Sequence, residues 1–327
     1  MGKKKKPTLN DIAKATGVAI STVSRVFSGK AKISKETTKR IIDAANEIGF
    51  EIKSKSSIES TRTIAFIVYY GRKSMYENPF FISSIQGAYD YCNKNDFSLQ
   101  IHFCEKLNLE MEIIAPLVEK KLVDGIILST VSTNESVLNY LIENKFPFSV
   151  IGRPTKSSQI IWVDNDNFNA TYNIVSSLFN HGKTRVAFIG KDLDYHFAED
   201  RFNGYKQAFT VRGFSIKEEL IFLRNDDKWK EFLNTFLMDN EIDAIVTDDD
   251  EMALEVLTHL NEKNLNLPII SFNYMPFPKQ YFKQLSLIDI RPKELGYWSA
   301  KMLIDFINGS ASIQNRLIPI NIDIKSI

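Results

Sequence analysis

Cysteine is nearly missing from these 327 residues: only Cys92 and Cys104 occur, without CxxC spacing or companion histidine clusters. That argues against a disulfide framework or a zinc site and predicts a reducing compartment. The histidines at 102, 181, 196 and 259 are scattered over different predicted elements, so no metal is assigned. No stretch reaches roughly 18 uncharged apolar residues, the length a membrane-spanning helix needs. The lysines at 3 to 6 run into PTLNDIAKATG rather than into an apolar segment of signal-peptide length. The expectation is a soluble, cytoplasmic protein with no membrane partner. Catalytic signatures are missing too. GRPTKSS at 152–158 lacks P-loop spacing, no GxGxxG follows the first predicted strand, and no GxSxG occurs. The acidic run at 248–251 does not make a glycosidase pair, because adjacent carboxylates rarely oppose each other across a substrate. No catalytic residue and no cofactor are assigned.

What is present is unevenly distributed. With 44% hydrophobic and 25% charged residues, the chain is long enough for a sizeable core and more than one domain. The net charge of +1 hides an asymmetry: residues 1–60 carry 13 Lys and Arg against 6 Asp and Glu, so a head of +7 sits on a body of −6. A basic head on an acidic body points to a polyanion partner, nucleic acid first, although Lys3 to Lys6 alone would also fit a solubilising tail.

Within the head, TLNDIAKATG places Ile12, Ala13 and Ala15 at helical spacing, with Thr8 or Asn10 to cap the start and Gly17 to end it. STVSRVFSG puts Val23, Val26 and Phe27 at i, i+3 and i+4. A third helix is expected from Ser34, with Ile41, Ile42, Ala44, Ala45 and Ile48 supplying core. Two short helices about a glycine turn predict a helix-turn-helix, whose second helix can enter a DNA major groove. Helical hairpins also occur in proteins that never touch DNA. Here the second helix offers Ser21, Thr22, Ser24 and Arg25, groups suited to phosphates and base edges.

Asp11 to Val26 match the pattern D-[IV]-A-x-x-x-G-V-x-x-x-T-V-S-R-V with correct spacing. On that stretch the chain resembles the lac repressor family of bacterial regulators, and IGF at 48–50 resembles its LGY. The resemblance implies that Ile20, Ser21 and Arg25 meet base edges, while Thr22, Ser24 and the chain before the helix, with Thr8, hold phosphates. Ala19 stands where the family usually has a serine cap, a loss worth about 1 kcal/mol of helix capping.

From residue 63 onward buried strands alternate with amphipathic helices, which predicts parallel α/β sheets. TIAFIVYY, SLQIHFC, VDGIILST, FPFSVIG and IIWVDND read as strands of one series. RVAFIG, IFL, DAIVT and LPIISF form a second, with helices at 168–181, 197–212, 228–239 and 250–263. The tail, with LSLIDI, a helix at 293–308 and NRLIPINIDI, is expected to cross back between the lobes. The fold class is thus a small all-α helix-turn-helix domain (1–50), a hinge or linker (51–62) and a two-lobed α/β domain (63–327), which the resemblance implies is a periplasmic-binding-protein-like effector and dimerisation domain.

Such sheets bind ligands beyond the carboxyl ends of their strands. Asn78, Phe80, Asp164, Asn165, Arg201, Asp249, Asp250 and Asn273 occupy strand-end positions. Singly, Asp164 and Asp249 could cap helices, Asn78 before Pro79 could be a helix entry, and Arg201 could be a surface ion pair. The resemblance extends through R-x-x-G-Y at 201–205, IVTDDDEMAL, ISFN and DI-x-x-x-ELG at 289–296. It implies that Arg201, Asp249 and Asn273 bind the effector, with Asn273 replacing an acid usual in the family. Trp229 stands where sugar-responsive relatives place an aromatic, and a flat ring beside carboxylate, amide and guanidinium groups suits a sugar. Its alternative is packing on its own helix. YENPFF, VDNDN and ISF look most like the maltose-operon repressors of low-GC Gram-positive bacteria.

The resemblance therefore implies a homodimeric repressor of sugar-utilisation genes, with operator DNA and a small-molecule sugar, maltose-type, as partners. Another sugar, a nucleoside or a phosphocarrier corepressor stays open as the signal. A non-catalytic sugar-binding protein and a carbohydrate-active enzyme are the rivals from other classes. The family's hinge pattern, PN followed by ARSL, is degraded in IGFEIKSKSSIESTRTIAF. The segment can then be a tether alone, or, since Ser56 and Glu59 still form an S-x-x-E capping box around Ile58, it can offer Ile58 as a wedge into a minor groove.

Overall fold

The computed structural model describes residues 7–28, 33–48, 50, 60–69, 79–104, 110–130, 136–155, 157–191, 195–224, 233, 236, 241–272, 283–320, 322 and 324. The chain divides into two compact units, 1–60 and 61–327.

The first unit holds three helices: α1 (Leu9–Thr16), α2 (Ile20–Ser28) and α3 (Lys35–Glu47). α1 ends because Gly17 adopts φ +68°, a left-handed turn open to glycine at no steric cost. The freed carbonyl of Thr16 accepts from Arg40 Nη2 at 2.8 Å, which ties α1 to α3. Ile12, Ala13, Val23, Ile41 and Ala45 form the core, with Leu9, Val18, Val26, Ile48 and Phe50 against it. Ile42 departs from the expected core and is 38% exposed. Positions 41 and 45 make the inward stripe of α3, which Ile48 continues just past its end, and residue 42 lies about 100° around the helix from 41.

The second unit contains two parallel sheets. Along the first run β1 (Thr63–Tyr69), α4 (Pro79–Lys94), β2 (Ser98–Cys104), α5 (Glu110–Glu119), β3 (Gly125–Leu128), α6 (Ser136–Glu143), β4 (Phe148–Ile151) and β5 (Ile161–Asn165). Along the second run α7 (Asn167–Asn180), β6 (Val186–Lys191), α8 (His196–Arg212), β7 (Ile221–Arg224), β8 (Ala244–Thr247), α9 (Asp250–Glu262), β9 (Ile269–Phe272) and β10 (Leu285–Ile288). The chain then returns through α10 (Pro292–Ile307) and β11 (Asn315–Ile318), which joins the first sheet beside β5. Beyond β11, Ile320, Ile322 and Ile324 pack on the second lobe. The tail was expected to cross back between the lobes; it does so and then returns to the second lobe. The expected helix 228–239 lies outside the described residues apart from Leu233 and Phe236, both buried in the second lobe.

The sheets run β2-β1-β3-β4-β5-β11 and β7-β6-β8-β9-β10. Both therefore repeat one doubly wound order, with the switch points between β1 and β3 and between β6 and β8. β1 shows why the strands read as unbroken apolar runs. Ile64, Phe66 and Val68 enter the cluster under α4 and α10, and Ala65 and Ile67 enter the one under α5 and α6, so neither face meets water.

The helix pair α4/α10 is set by two glycines. A Cβ on Gly296 would lie 1.8 Å from the Ser84 carbonyl oxygen, and one on Gly87 would lie 1.8 Å from that of Lys293. The backbones approach as closely as glycine alone permits. Ser149 of β4 meets Ser299 of α10 by a 2.8 Å hydroxyl contact, fixing α10 on the sheet. Gly296→Ala is expected to destabilise the body by at least about 2 kcal/mol through overpacking, read as a lowered thermal midpoint by circular dichroism; an unchanged midpoint would show that the helices do not touch there.

Candidate functional site

The head presents one polar helix face. Ile20 is 49% exposed, Ser21, Ser24 and Arg25 are exposed, and Thr22 is half-buried, while Val23 points into the core. α2 begins without a hydroxyl cap, and the amides of Thr22 and Val23 donate to the Ala19 carbonyl at 2.8 and 3.1 Å. Before α1, Thr8 and Asp11 close on each other: the Thr8 amide and hydroxyl both donate to Asp11 Oδ2, at 2.8 and 2.6 Å. Thr8 is therefore a helix cap as well as an exposed group of the N-terminal approach.

In the body, charged groups gather at the carboxyl ends of β5 and β8. Arg201, on α8, is buried. Its Nε donates to Asn167 Oδ1 at 2.9 Å and its Nη1 donates to the Asp248 carbonyl. The guanidinium carbon lies 4.1 Å from the Phe272 ring centroid and 5.0 Å from that of Phe197. The R-x-x-G-Y motif explains the placement, because residues 201, 204 and 205 share a helix face. A Cβ on Gly204 would meet the Phe168 carbonyl at 2.2 Å, and the buried Tyr205 hydroxyl donates to Val186 O at 2.9 Å. Together they press α8 onto α7 and β6 and aim Arg201 at the strand ends.

Asp164 is the acid on the first-sheet side. It accepts from the amides of Arg153 at 3.0 Å and Asn165 at 2.7 Å and from Asn167 Nδ2 at 3.2 Å. Burial raises its carboxyl to about 6, outweighing these donors and the Arg201 charge. Burial likewise lowers Arg201 to about 10, against the opposing pull of Asp248, Asp164, Asp249 and Asp250. Arg201 therefore stays protonated at neutral pH. Asp249 caps α9, its Oδ1 accepting from the Met252 amide at 2.9 Å. Asn165 donates to the Ile318 carbonyl at 3.3 Å, joining two of the interlobe crossings. Phe80 packs on the cores of both lobes.

Residues 8–51 match the family described as bacterial regulatory proteins, lacI family, and residues 175–326 match the periplasmic binding protein-like domain. The HTH-type transcriptional regulator MalR of Streptococcus pneumoniae is 30% identical over 308 residues, covering 92% of this chain and 93% of that protein. The chain belongs to the lacI family of bacterial regulatory proteins. MalR of Staphylococcus xylosus is 25% identical, with 92% of each chain covered. Among solved structures, a transcriptional regulator CelR–cellobiose complex shares the fold with a TM-score of 0.72 at 22% identity, over 97% of this chain and 98% of that one. A probable maltose operon repressor malR from Staphylococcus does so with a TM-score of 0.73 at 22% identity, over 82% and 98%. This regulator is accordingly a DNA-binding transcriptional regulator with a helix-turn-helix head and a two-sheet, periplasmic-binding-protein-like body.

Of the residues singled out from the sequence of this regulator, the fold brings Asp164, Asn165, Arg201 and Asp249 to adjoining strand ends, with Phe80 at the lobe junction. Asp164 does not cap α7, since Asp166 does so by accepting from the Asn169 amide. Arg201 is no surface ion pair. Ile58, Asn78, Trp229 and Asn273 lie outside the described residues. Sequence reasoning passed over Asn167, Phe272, Arg153 and Asp200. Asn167 stood two residues after a chosen position in VDNDN, and Phe272 stood inside ISFN, so a signal for both was present.

Asp164 has a pH consequence. Its raised carboxyl stabilises the fold below the unfolded value near 3.8, and that contribution is lost as pH rises through about 6. Relative to Asp164→Asn, the protein should lose on the order of 3 kcal/mol between pH 4 and 7. Urea unfolding of both proteins across that range checks the sign; parallel curves would show that Asp164 titrates normally.

Proposed function

We propose that the chain is a homodimeric repressor of sugar-utilisation genes, released from its operator by a maltose-type sugar. The observation that carries this reading is the buried Arg201, held between strand-end acids and the Phe272 ring in a chain 30% identical to MalR. A guanidinium edge, carboxylates, amides and an aromatic face are what a sugar needs, because hydroxyls pair with polar groups while the C–H face stacks. Residues 1–50 serve as the DNA-binding domain, 51–62 as the hinge and 63–327 as the effector and dimerisation domain. Ile20, Ser21 and Arg25 read bases, and Thr8, Thr22 and Ser24 hold phosphates, with Ile58 as the minor-groove wedge. Phe80, Asp164, Asn165, Arg201 and Asp249, joined by Asn78, Trp229 and Asn273, hold the effector.

Two-fold protein symmetry calls for a near-palindromic operator with one head per half-site. The sugar acts by binding the closed, DNA-incompetent arrangement more tightly than the open one, since only differential affinity shifts a population. The protein performs no chemistry on its ligand. Cytoplasmic residence accords with DNA as partner; no helix among the described residues is long and apolar enough to cross a membrane.

Gel shifts with operator DNA test the reading. Maltose or a maltodextrin should release the complex with no sugar hydrolysed; turnover would make the protein an enzyme. Release by a nucleoside, or tightening by a phosphocarrier protein, would name a different signal. Arg25→Ala should weaken operator binding at least about tenfold, the loss of a base or phosphate contact in each half-site, and leave sugar affinity unchanged. Equal loss of both would refute the division of labour. Operator affinity should also fall steeply with salt because the head carries +7.

A further inference from the structure

Beside the Arg201 cluster, the two lobes touch through a pair of side chains. Arg153 follows β4 of the first sheet, and Asp200 lies in the second turn of α8, which packs on the second sheet. Arg153 Nη2 lies 2.6 Å from both carboxylate oxygens of Asp200. Two residues further along the same loop, Thr155 Oγ1 lies 3.2 Å from Nε2 of His196, the first residue of α8. The loop after β4 is thus bonded to α8 at two points. Arg153 also reaches the effector site by its main chain, since its amide donates to Asp164 Oδ2 at 3.0 Å. Asp200 is the neighbour of Arg201 in sequence. A small crevice lined by Arg153, Asp164, Asn167 and Asp200 joins the ion pair to the cluster.

We propose that Arg153 and Asp200 are positioning residues that latch the two lobes together at the edge of the effector site. Short charge-assisted bonds exist only while the β4 loop and α8 stay at ion-pair distance, so each one formed favours the arrangement in which the lobes have closed. Arg153 is suited to this because it grips the first-sheet acid through its backbone and the helix bearing Arg201 through its side chain. Asp200 is 17% exposed and Arg153 48%, so the pair is partly shielded from solvent and open enough to break. Its effect is to raise the population competent for effector before effector arrives, which lowers the apparent dissociation constant in proportion. The inference rests on the cleft being the effector site.

The test is a double-mutant cycle on the full-length protein, with maltose as the probe and operator release as the readout. Arg153→Ala and Asp200→Ala should each raise the maltose concentration for half-release by about three- to tenfold, without lowering operator affinity in its absence. The double variant should be no worse than either single one, because both remove one interaction. Additive effects, or no effect, would overturn the latch. A second measurement needs no ligand: nitroxides at Lys120→Cys and Lys263→Cys, exposed positions in opposite lobes, report the interlobe distance. Arg153→Ala should shift or broaden that distribution in the free protein, and an unchanged distribution would also overturn the proposal. If maltose releases neither protein while the distance shifts, the latch stands and the sugar assignment fails.

Discussion

A guanidinium taken out of water must have its charge answered from every side, and Arg201 imposes that constraint on the body. Desolvation of a cation costs several kcal/mol, recovered only by acceptors held in place. Here acceptors come from Asn167 at the start of α7 and the Asp248 carbonyl at the end of β8, with the charges of Asp164, Asp249 and Asp250 around them. The Phe272 ring closes one face by a cation–π contact. Removing any one element would leave a buried charge poorly answered, so the position of Arg201 and the positions of the strand ends specify each other.

That arrangement also lies against the three segments by which the chain passes between the lobes. Asn167 lies just past the first crossing between lobes, and Asn165 bonds the carbonyl of Ile318 at the third. At the second crossing Arg291 adopts φ +53° and donates to the Pro319 carbonyl at 3.3 Å. The three crossing strands are stitched to one another beside the charged cluster. Through Asn167, Arg201 borders the segments that join the lobes, with no long relay of contacts between them.

Much of this was legible in the sequence because the relevant signals are local. Burial on both faces makes parallel strands continuous apolar runs, and TIAFIVYY and RVAFIG announced β1 and β6. Gly17 between two short amphipathic segments announced the turn of the head. Arg201, Gly204 and Tyr205 are recognisable together because one helix face must carry a charge, a backbone contact and an anchored hydroxyl. Ile42 misled for a local reason as well: an apolar residue beside a core position on a helix is turned away from it. Arg153 and Asp200 gave no signal, since they are 47 residues apart and meet only when a loop of one sheet reaches a helix of the other.

Composition and periodicity alone determined the basic head, the acidic body, the three short helices and the two series of alternating strands and helices. Those properties depend on neighbours within one or two turns of chain. Tertiary structure alone decided which strand-end residues share a site, that Asp164 is held by amides rather than spent as a cap, and that the lobes join through Arg153. These depend on where the carboxyl ends of two separate sheets are brought together, which a chain that crosses between them three times settles by packing.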